Sequence, residues 1–158
     1  MAQLQVGDKA PLFTLADQNG EKVKLSAFKG RNVVVYFYPK ANTPGCTTQS
    51  CALRDAEPDL AELDADVIGI SPDPPKAQKK FDDKFELGFP LLADEDHAVC
   101  EAWGVWGEKS MYGRKYMGII RSAFVVDAKG KIAGAFYKVS PKATVGEVVR
   151  CLDQLAAK

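Results

Sequence analysis

The residues best suited to chemistry cluster between Tyr38 and Cys51, a stretch that reads YPKANTPGCTTQSC. Cys46 is its candidate nucleophile, because a thiolate attacks where a thiol does not. Thr43 stands three residues before it, Cys51 five residues after it, and Pro39 further back. Pro39 fixes the chain direction and shields the thiol. The Thr43 hydroxyl both donates and accepts a hydrogen bond, so it is placed to hold a substrate oxygen beside the sulfur. A thiolate with no general base nearby, but with donors aimed at a small oxygen species, fits attack on a hydroperoxide. The product on Cys46 would be a sulfenic acid. That species needs a second thiol, and Cys51 is the nearest in sequence.

The elements that must position these residues can be read on either side. Val33-Val34-Val35-Tyr36-Phe37-Tyr38 is the most apolar run of the chain and predicts a buried strand stopped by Pro39. After a Pro/Asn/Gly-rich turn, a helical pattern runs from Cys46 to about Leu63, with Leu53, Leu60 and Leu63 on its apolar stripe. Pro58 is expected to kink or break that helix. Cys46 thus falls where a strand ends and a helix begins. Backbone N–H groups lack partners there and the helix dipole is positive, which favours a thiolate. A fixed positive charge is expected from Arg121, because Gly118-Ile119-Ile120-Arg121-Ser122 leads into a strand predicted beside the first one. Its guanidinium would favour the thiolate and polarise a peroxide O–O bond. Residues five apart in an intact helix have Cα atoms about 8.6 Å apart, whereas a disulfide needs less than about 7 Å. The first helical turns are therefore expected to unwind before Cys46 and Cys51 join.

The rest of the chain reads as a frame for that site. Phe13–Leu15 and Val23–Leu25 predict a small hairpin turning at Asn19-Gly20. SAFKG predicts a short helical turn capped by Ser26 and closed by Gly30. Val67 to Ser71 is a second buried strand. PDPPKAQKKFDDKFEL is an amphipathic helix with Phe81, Phe85 and Leu87 inward, and Phe89 to Leu92 a short strand. Asp94-Glu95-Asp96 opens a short helix through Trp103, on which His97 faces solvent. Gly104 to Gly118 reads as a long surface excursion. Its Trp106, Tyr112 and Tyr116, with Trp103, are candidates for an apolar collar around a bulky peroxide. Ser122–Val126 and Ile132–Tyr137 predict a hairpin, and Thr144 to Leu155 a closing helix with Val145, Val148, Val149, Leu152 and Leu155 inward. The alternation of strands and helices implies an α/β architecture, a mixed sheet with helices on its faces.

Bulk properties narrow the field. At 158 residues, with no repeat or linker, residues 1–158 are expected to form one domain. Basic and acidic residues balance at 21 each, which gives no reason to expect nucleic acid or a membrane surface as partner. The N-terminal MAQLQVGDKAPLF lacks the apolar core of a secretory signal, so the cytoplasm is the expected location. The four cysteines, Cys46, Cys51, Cys100 and Cys151, form no C-x-x-C, and His97 is the only histidine. No metal is therefore expected, and redox chemistry or plain burial remains. Cys100 and Cys151 lie in helical patterns and read as packing residues.

Pro39, Thr43 and Cys46 match the P-x-x-x-T-x-x-C signature of peroxiredoxins. The run T-P-G-C-T-x-Q-x-C, with Arg121 in R-S-x-F-V-V-D, resembles the bacterioferritin comigratory protein (peroxiredoxin Q) subfamily. The likeness spans nearly the whole chain, through GDKAPLFTL, SAFKG, VVVYFYP, VIGISPD, FPLLAD and YGRKYMGIIRS. It implies a thioredoxin-like fold with an N-terminal hairpin and thiol-dependent peroxidase activity without metal, flavin or haem. It implies Cys46 as the peroxidatic cysteine and Cys51 as its resolving partner in the same chain. It further implies a hydroperoxide substrate, reduction by thioredoxin or a glutaredoxin-like dithiol protein, and a monomer. Position 49 is Gln where many relatives carry Glu, so the side chain can bond to an arginine but brings no charge. Two other readings remain open on the residues: a redox-switched binding module or holdase, and a thiol–disulfide exchange enzyme. The absence of C-x-x-C counts against the second.

Overall fold

The computed structural model describes residues 3–157, the side chain of residue 111 excepted. Its elements follow in the order β1 (Thr14–Ala16), β2 (Lys22–Lys24), a 3-10 turn (Leu25–Phe28), β3 (Asn32–Phe37), α1 (Pro44–Glu62), β4 (Ala65–Ser71), α2 (Pro75–Phe85), β5 (Leu91–Ala93), α3 (Ala98–Ala102), β6 (Trp106–Met111), β7 (Arg114–Ile119), β8 (Ser122–Val126), β9 (Ile132–Phe136) and α4 (Thr144–Ala156). Seven strands form one sheet in the order β2-β1-β5-β4-β3-β8-β9, while β6 and β7 pair as a separate ribbon. Parallel pairs join β3, β4 and β5, and antiparallel pairs add β1, β8 and β9. This is the mixed sheet expected from the alternation. No helix among the described residues is long and apolar enough to cross a membrane.

The period of two along β3 divides the interior. Val34 and Tyr36 face one layer, with α1, α2 and α4, and Val33, Val35 and Phe37 face the other, with α3 and Trp103. A strand apolar on both faces reads as a continuous hydrophobic run, as a strand inside a covered sheet does. Cys46 lies in the first layer, packed among Tyr36, Tyr38 and Leu53.

Several sequence expectations are corrected. The first hairpin does not turn on two residues. Residues 17–21 connect its strands, and Asp17 Oδ1 organises them by accepting from the N–H groups of Asn19 and Glu21 at 2.8 and 3.0 Å. Ser26 is no cap, since the 3-10 turn begins at Leu25 without a side-chain bond at its start. The strand expected at Phe89–Leu92 is displaced to Leu91–Ala93. His97 does not merely face solvent: its ring stacks on Trp106 at 3.9 Å, and Nδ1 meets Glu101 at 3.2 Å. Pro58 lies inside α1 without ending it. Its missing N–H leaves the Arg54 carbonyl without its ladder bond, and because Pro58 is exposed the helix tolerates the loss.

The largest correction concerns Gly104–Gly118, which is an ordered two-stranded ribbon. Tyr112 and Gly113 both take positive φ, 52° and 77°, the backbone of a tight two-residue hairpin loop. The ribbon is mostly exposed and carries no alternation of apolar and polar residues, so its strand character left no periodic signal.

Candidate active site

β3 ends at Phe37, and the chain passes Tyr38 and Pro39 before α1 begins at Pro44. Thr43 is the N-cap of α1, with extended backbone (φ −99°, ψ 158°), and Pro44 occupies the first helical position, where a missing N–H costs nothing. The Thr43 carbonyl accepts from Thr47 N–H at 2.8 Å. Cys46 therefore sits in the first turn, where N–H groups have no helical acceptor and the dipole is positive. The residues at this turn are joined by one from across the sheet. Ser122 opens β8 opposite Phe37 at the end of β3, so Arg121 stands beside the Cys46 turn.

The guanidinium reaches the sulfur: Arg121 Nη1 lies 3.4 Å from Cys46 Sγ and donates to Gln49 Oε1 at 3.0 Å. Gln49, one turn beyond Cys46, in turn donates from Nε2 to Thr144 Oγ1 at 3.1 Å. Gly45 makes room for this arrangement, because a Cβ there would stand 2.9 Å from Arg121 Nη2. Cys46 itself is 0 % exposed, so a peroxide reaches the sulfur only when covering groups move. Arg121, in contact with Sγ, is itself only partly buried.

Thr43 takes a more restricted role than its hydroxyl chemistry allows. Its Oγ1 donates to the Lys40 carbonyl at 2.8 Å, so only acceptor capacity remains for a ligand. The Lys40–Thr43 loop is anchored from β4's end, where Asp73 Oδ2 accepts from Ala41 N–H and from Ser71 Oγ, both at 2.7 Å. Cys51 lies in the same unbroken helix as Cys46, partly buried, and both are free thiols. Beneath them the Tyr36 hydroxyl bonds Ser50 Oγ at 2.8 Å.

The other cysteines are placed as packing residues. Cys100 is buried in the opposite layer from Cys46, and burial, with Asp94 beside it, pushes its thiol far up. Cys151 packs from α4 against β9, close enough that a Cβ on Gly134 would stand 2.7 Å from its sulfur. The apolar collar does not assemble. Trp103 is core in the layer away from Cys46, Trp106 stacks on His97, and Tyr112 is 97 % exposed.

Three contributors escaped the sequence reading. Gly45 gave no sign, since any Pro-Gly turn would look the same. Thr144 had one: it lies four residues before Val148 and eight before Leu152, so it is a polar residue on the buried stripe of α4. Lys109 reaches toward the site from β6. Burial first, and then the charge of Arg121, hold its ammonium below the ordinary lysine range, while Cys46 acts the other way. Among the described residues no group of His, Cys, Asp and Glu is arranged to hold a metal.

Comparison with known proteins places the chain and its fold. Residues 6–135 match the AhpC/TSA family. Peroxiredoxin Bcp of Escherichia coli (strain K12) is 54% identical over 136 residues, 86% of this chain and 87% of that protein. Among solved structures, a cysteine-to-serine variant of Xylella fastidiosa PrxQ superposes with a TM-score of 0.92 at 31% identity, over 99% of both chains. The Xanthomonas campestris bacterioferritin comigratory protein, studied for its alkyl peroxide reduction activity, gives a TM-score of 0.88 at 32% identity, over 96% of this chain and 99% of that one. The sheet and its flanking helices are thus those of a thioredoxin-like peroxiredoxin, and the chain belongs to the AhpC/TSA family as a thiol peroxidase of the Bcp/PrxQ type.

Proposed function

We propose that this enzyme reduces hydrogen peroxide and organic hydroperoxides by attack of the Cys46 sulfur, with Cys51 resolving the product. The observation that carries the reading is the 3.4 Å approach of Arg121 Nη1 to Cys46 Sγ in the first turn of α1. An N–H of a guanidinium donates most strongly to an anionic acceptor, and this contact puts that donor at the attacking sulfur. The same cation, with the first-turn N–H groups, stabilises negative charge as it develops on the peroxide. Thr43, its proton committed to Lys40, accepts from the peroxide O–H and orients it. Pro39 closes the approach from the β3 side.

In the first step an S–O bond forms as the O–O bond breaks. The O–O electron pair leaves on the far oxygen, which takes up a proton and departs as alcohol or water. Cys46 is left as sulfenic acid. In the second step Cys51 sulfur attacks Cys46 sulfur, the S–O bond breaks, and water leaves with the Cys51 proton. A dithiol protein, thioredoxin or a glutaredoxin-like reductant, then returns two electrons and two protons. Because α1 is continuous through both cysteines, the second step requires its first turns to unwind. A cytoplasmic location and a monomeric state complete the reading, the second resting on the resemblance.

Mass spectrometry of peroxide-treated protein tests the scheme. It should find one disulfide, Cys46 to Cys51, with Cys100 and Cys151 still alkylatable after unfolding. Cys46→Ser should consume no peroxide, and Cys51→Ser should consume one equivalent and retain a dimedone-reactive sulfenic acid. A different pairing, or turnover without Cys46, overturns the scheme.

A further inference from the structure

The bond between Gln49 and Arg121 has its direction decided one residue further away. Gln49 and Thr144 are both 0 % exposed, so their polar atoms must find partners inside the protein. Thr144 has one hydroxyl proton, and it goes to the Ser140 carbonyl at 2.9 Å. A carbonyl only accepts, so the hydroxyl faces Gln49 with lone pairs alone. It accepts from Gln49 Nε2 at 3.1 Å, and the other end of the amide, Oε1, is thereby turned to Arg121 Nη1 at 3.0 Å. Reversed, the amide would set N–H groups against a guanidinium that has only donors. Its oxygen would meet a hydroxyl with no proton left to give.

We infer that Thr144 is a positioning residue for the peroxidase reaction: by accepting from Gln49 it holds the amide oxygen toward Arg121 and so keeps the guanidinium on Cys46. The inference rests on the reading of Cys46 as the attacking sulfur. Thr144 itself touches neither sulfur nor peroxide. The segment that carries it also holds Arg121 by its backbone, because Val139 N–H donates to the Arg121 carbonyl at 3.0 Å. Pro141 presses on the same turn, its Cγ 3.6 Å from a Cβ placed on Gly45. The start of α4 is thus a bracket for the arginine. A neutral amide at position 49 suits this role: it orients the guanidinium without the ion pair that a carboxylate would form in competition with the sulfur.

Thr144→Val and Thr144→Ser, compared with the wild type, test the assignment through two readouts. One is the single-turnover rate of sulfenic acid formation on Cys46. The other is the ratio of Cys46 alkylation by anionic iodoacetate to that by neutral iodoacetamide, which a guanidinium at the sulfur raises. Valine should slow the peroxide step roughly fivefold to tenfold, the effect of losing one hydrogen bond in a buried chain, and lower the ratio; serine should restore both. A folded valine variant with wild-type rate and ratio overturns the inference, and so does a loss that serine does not repair. If the wild type is inert to peroxide, the proposed function fails, while the alkylation ratio still decides the role of Thr144. If the valine variant does not fold, the Gln49 side-chain amide of the wild type decides by NMR. Protons protected from exchange support the bond to Thr144, and exchange at the rate of an exposed glutamine overturns it.

Discussion

Gly45 leaves the space that Arg121 occupies: a Cβ on Gly45 would stand 2.9 Å from Arg121 Nη2 and 3.5 Å from its Cζ. The atoms at risk are the far end of a flexible side chain, so Gly45→Ala is accommodated by moving the guanidinium. The expected outcome is a melting temperature close to that of the wild type with the peroxide step slowed by at least about tenfold, the effect of one misplaced charge-stabilising donor. Stopped-flow kinetics beside calorimetry checks it; equal rates would show that Arg121 need not stay where it is.

The bond of Tyr36 to Ser50 holds the second turn of α1 onto the sheet at 2.8 Å. If disulfide formation needs that turn to open, backbone amides of residues 47–54 should exchange faster in the oxidised protein than in the reduced one. Tyr36→Phe should lower stability by about 1 kcal/mol and hasten closure of the disulfide. Equal protection in the two redox states would rule out the unwinding.

Asp73 anchors the Lys40–Thr43 loop through Ala41 N–H at 2.7 Å. Asp73→Ala should raise KM for peroxide by freeing the loop, with a modest fall in melting temperature because the buried Ser71 hydroxyl loses its acceptor. Steady-state assays paired with thermal melts distinguish this from general destabilisation.

Alkaline stability depends on buried acids that stay protonated in the fold. Burial, with Asp94, pushes the Cys100 thiol far above its ordinary 9.0. Burial likewise pushes the Tyr36 and Tyr38 phenols above 10.0. The unfolded chain releases these protons first, so the stabilisation is complete below pH 9 and is lost as pH rises. The loss is about 1.4 kcal/mol per pH unit for each group. Of these three acids, only Cys100 ionises in the unfolded chain between about pH 9 and 10. Cys100→Ala, though less stable overall, should show a flatter stability curve in that interval by urea unfolding. An unchanged slope would mean the thiol ionises in the folded protein.

Much of this site was legible because its determinants are local. The apolar run ending at Pro39, followed by a turn and a helical pattern, was enough to put Cys46 at a helix start. Arg121 was reachable because it precedes a strand that had to pair with β3. Gln49 and Thr144 stand far apart in sequence, and the bond that joins them depends on how α4 packs on α1, which no periodicity encodes. The ribbon of β6 and β7 was missed for another reason: its residues face solvent on most sides, so strand geometry imposes no alternation on them. Pro58 does not break α1, because at an exposed position water can serve the carbonyl that its missing donor orphans.

Pro58 has a mechanical consequence for α1. The carbonyl of Arg54 has no rung to the next turn, so the helix carries a seam between its reactive front and its rear. An opening that begins at Thr43 and travels past Cys51 arrives at Arg54, where one tie is already missing. The rear half, with Leu60 buried against the sheet, stays seated as a stationary post. The front half, which carries both cysteines, would then be the part that has to move for the two sulfurs to meet.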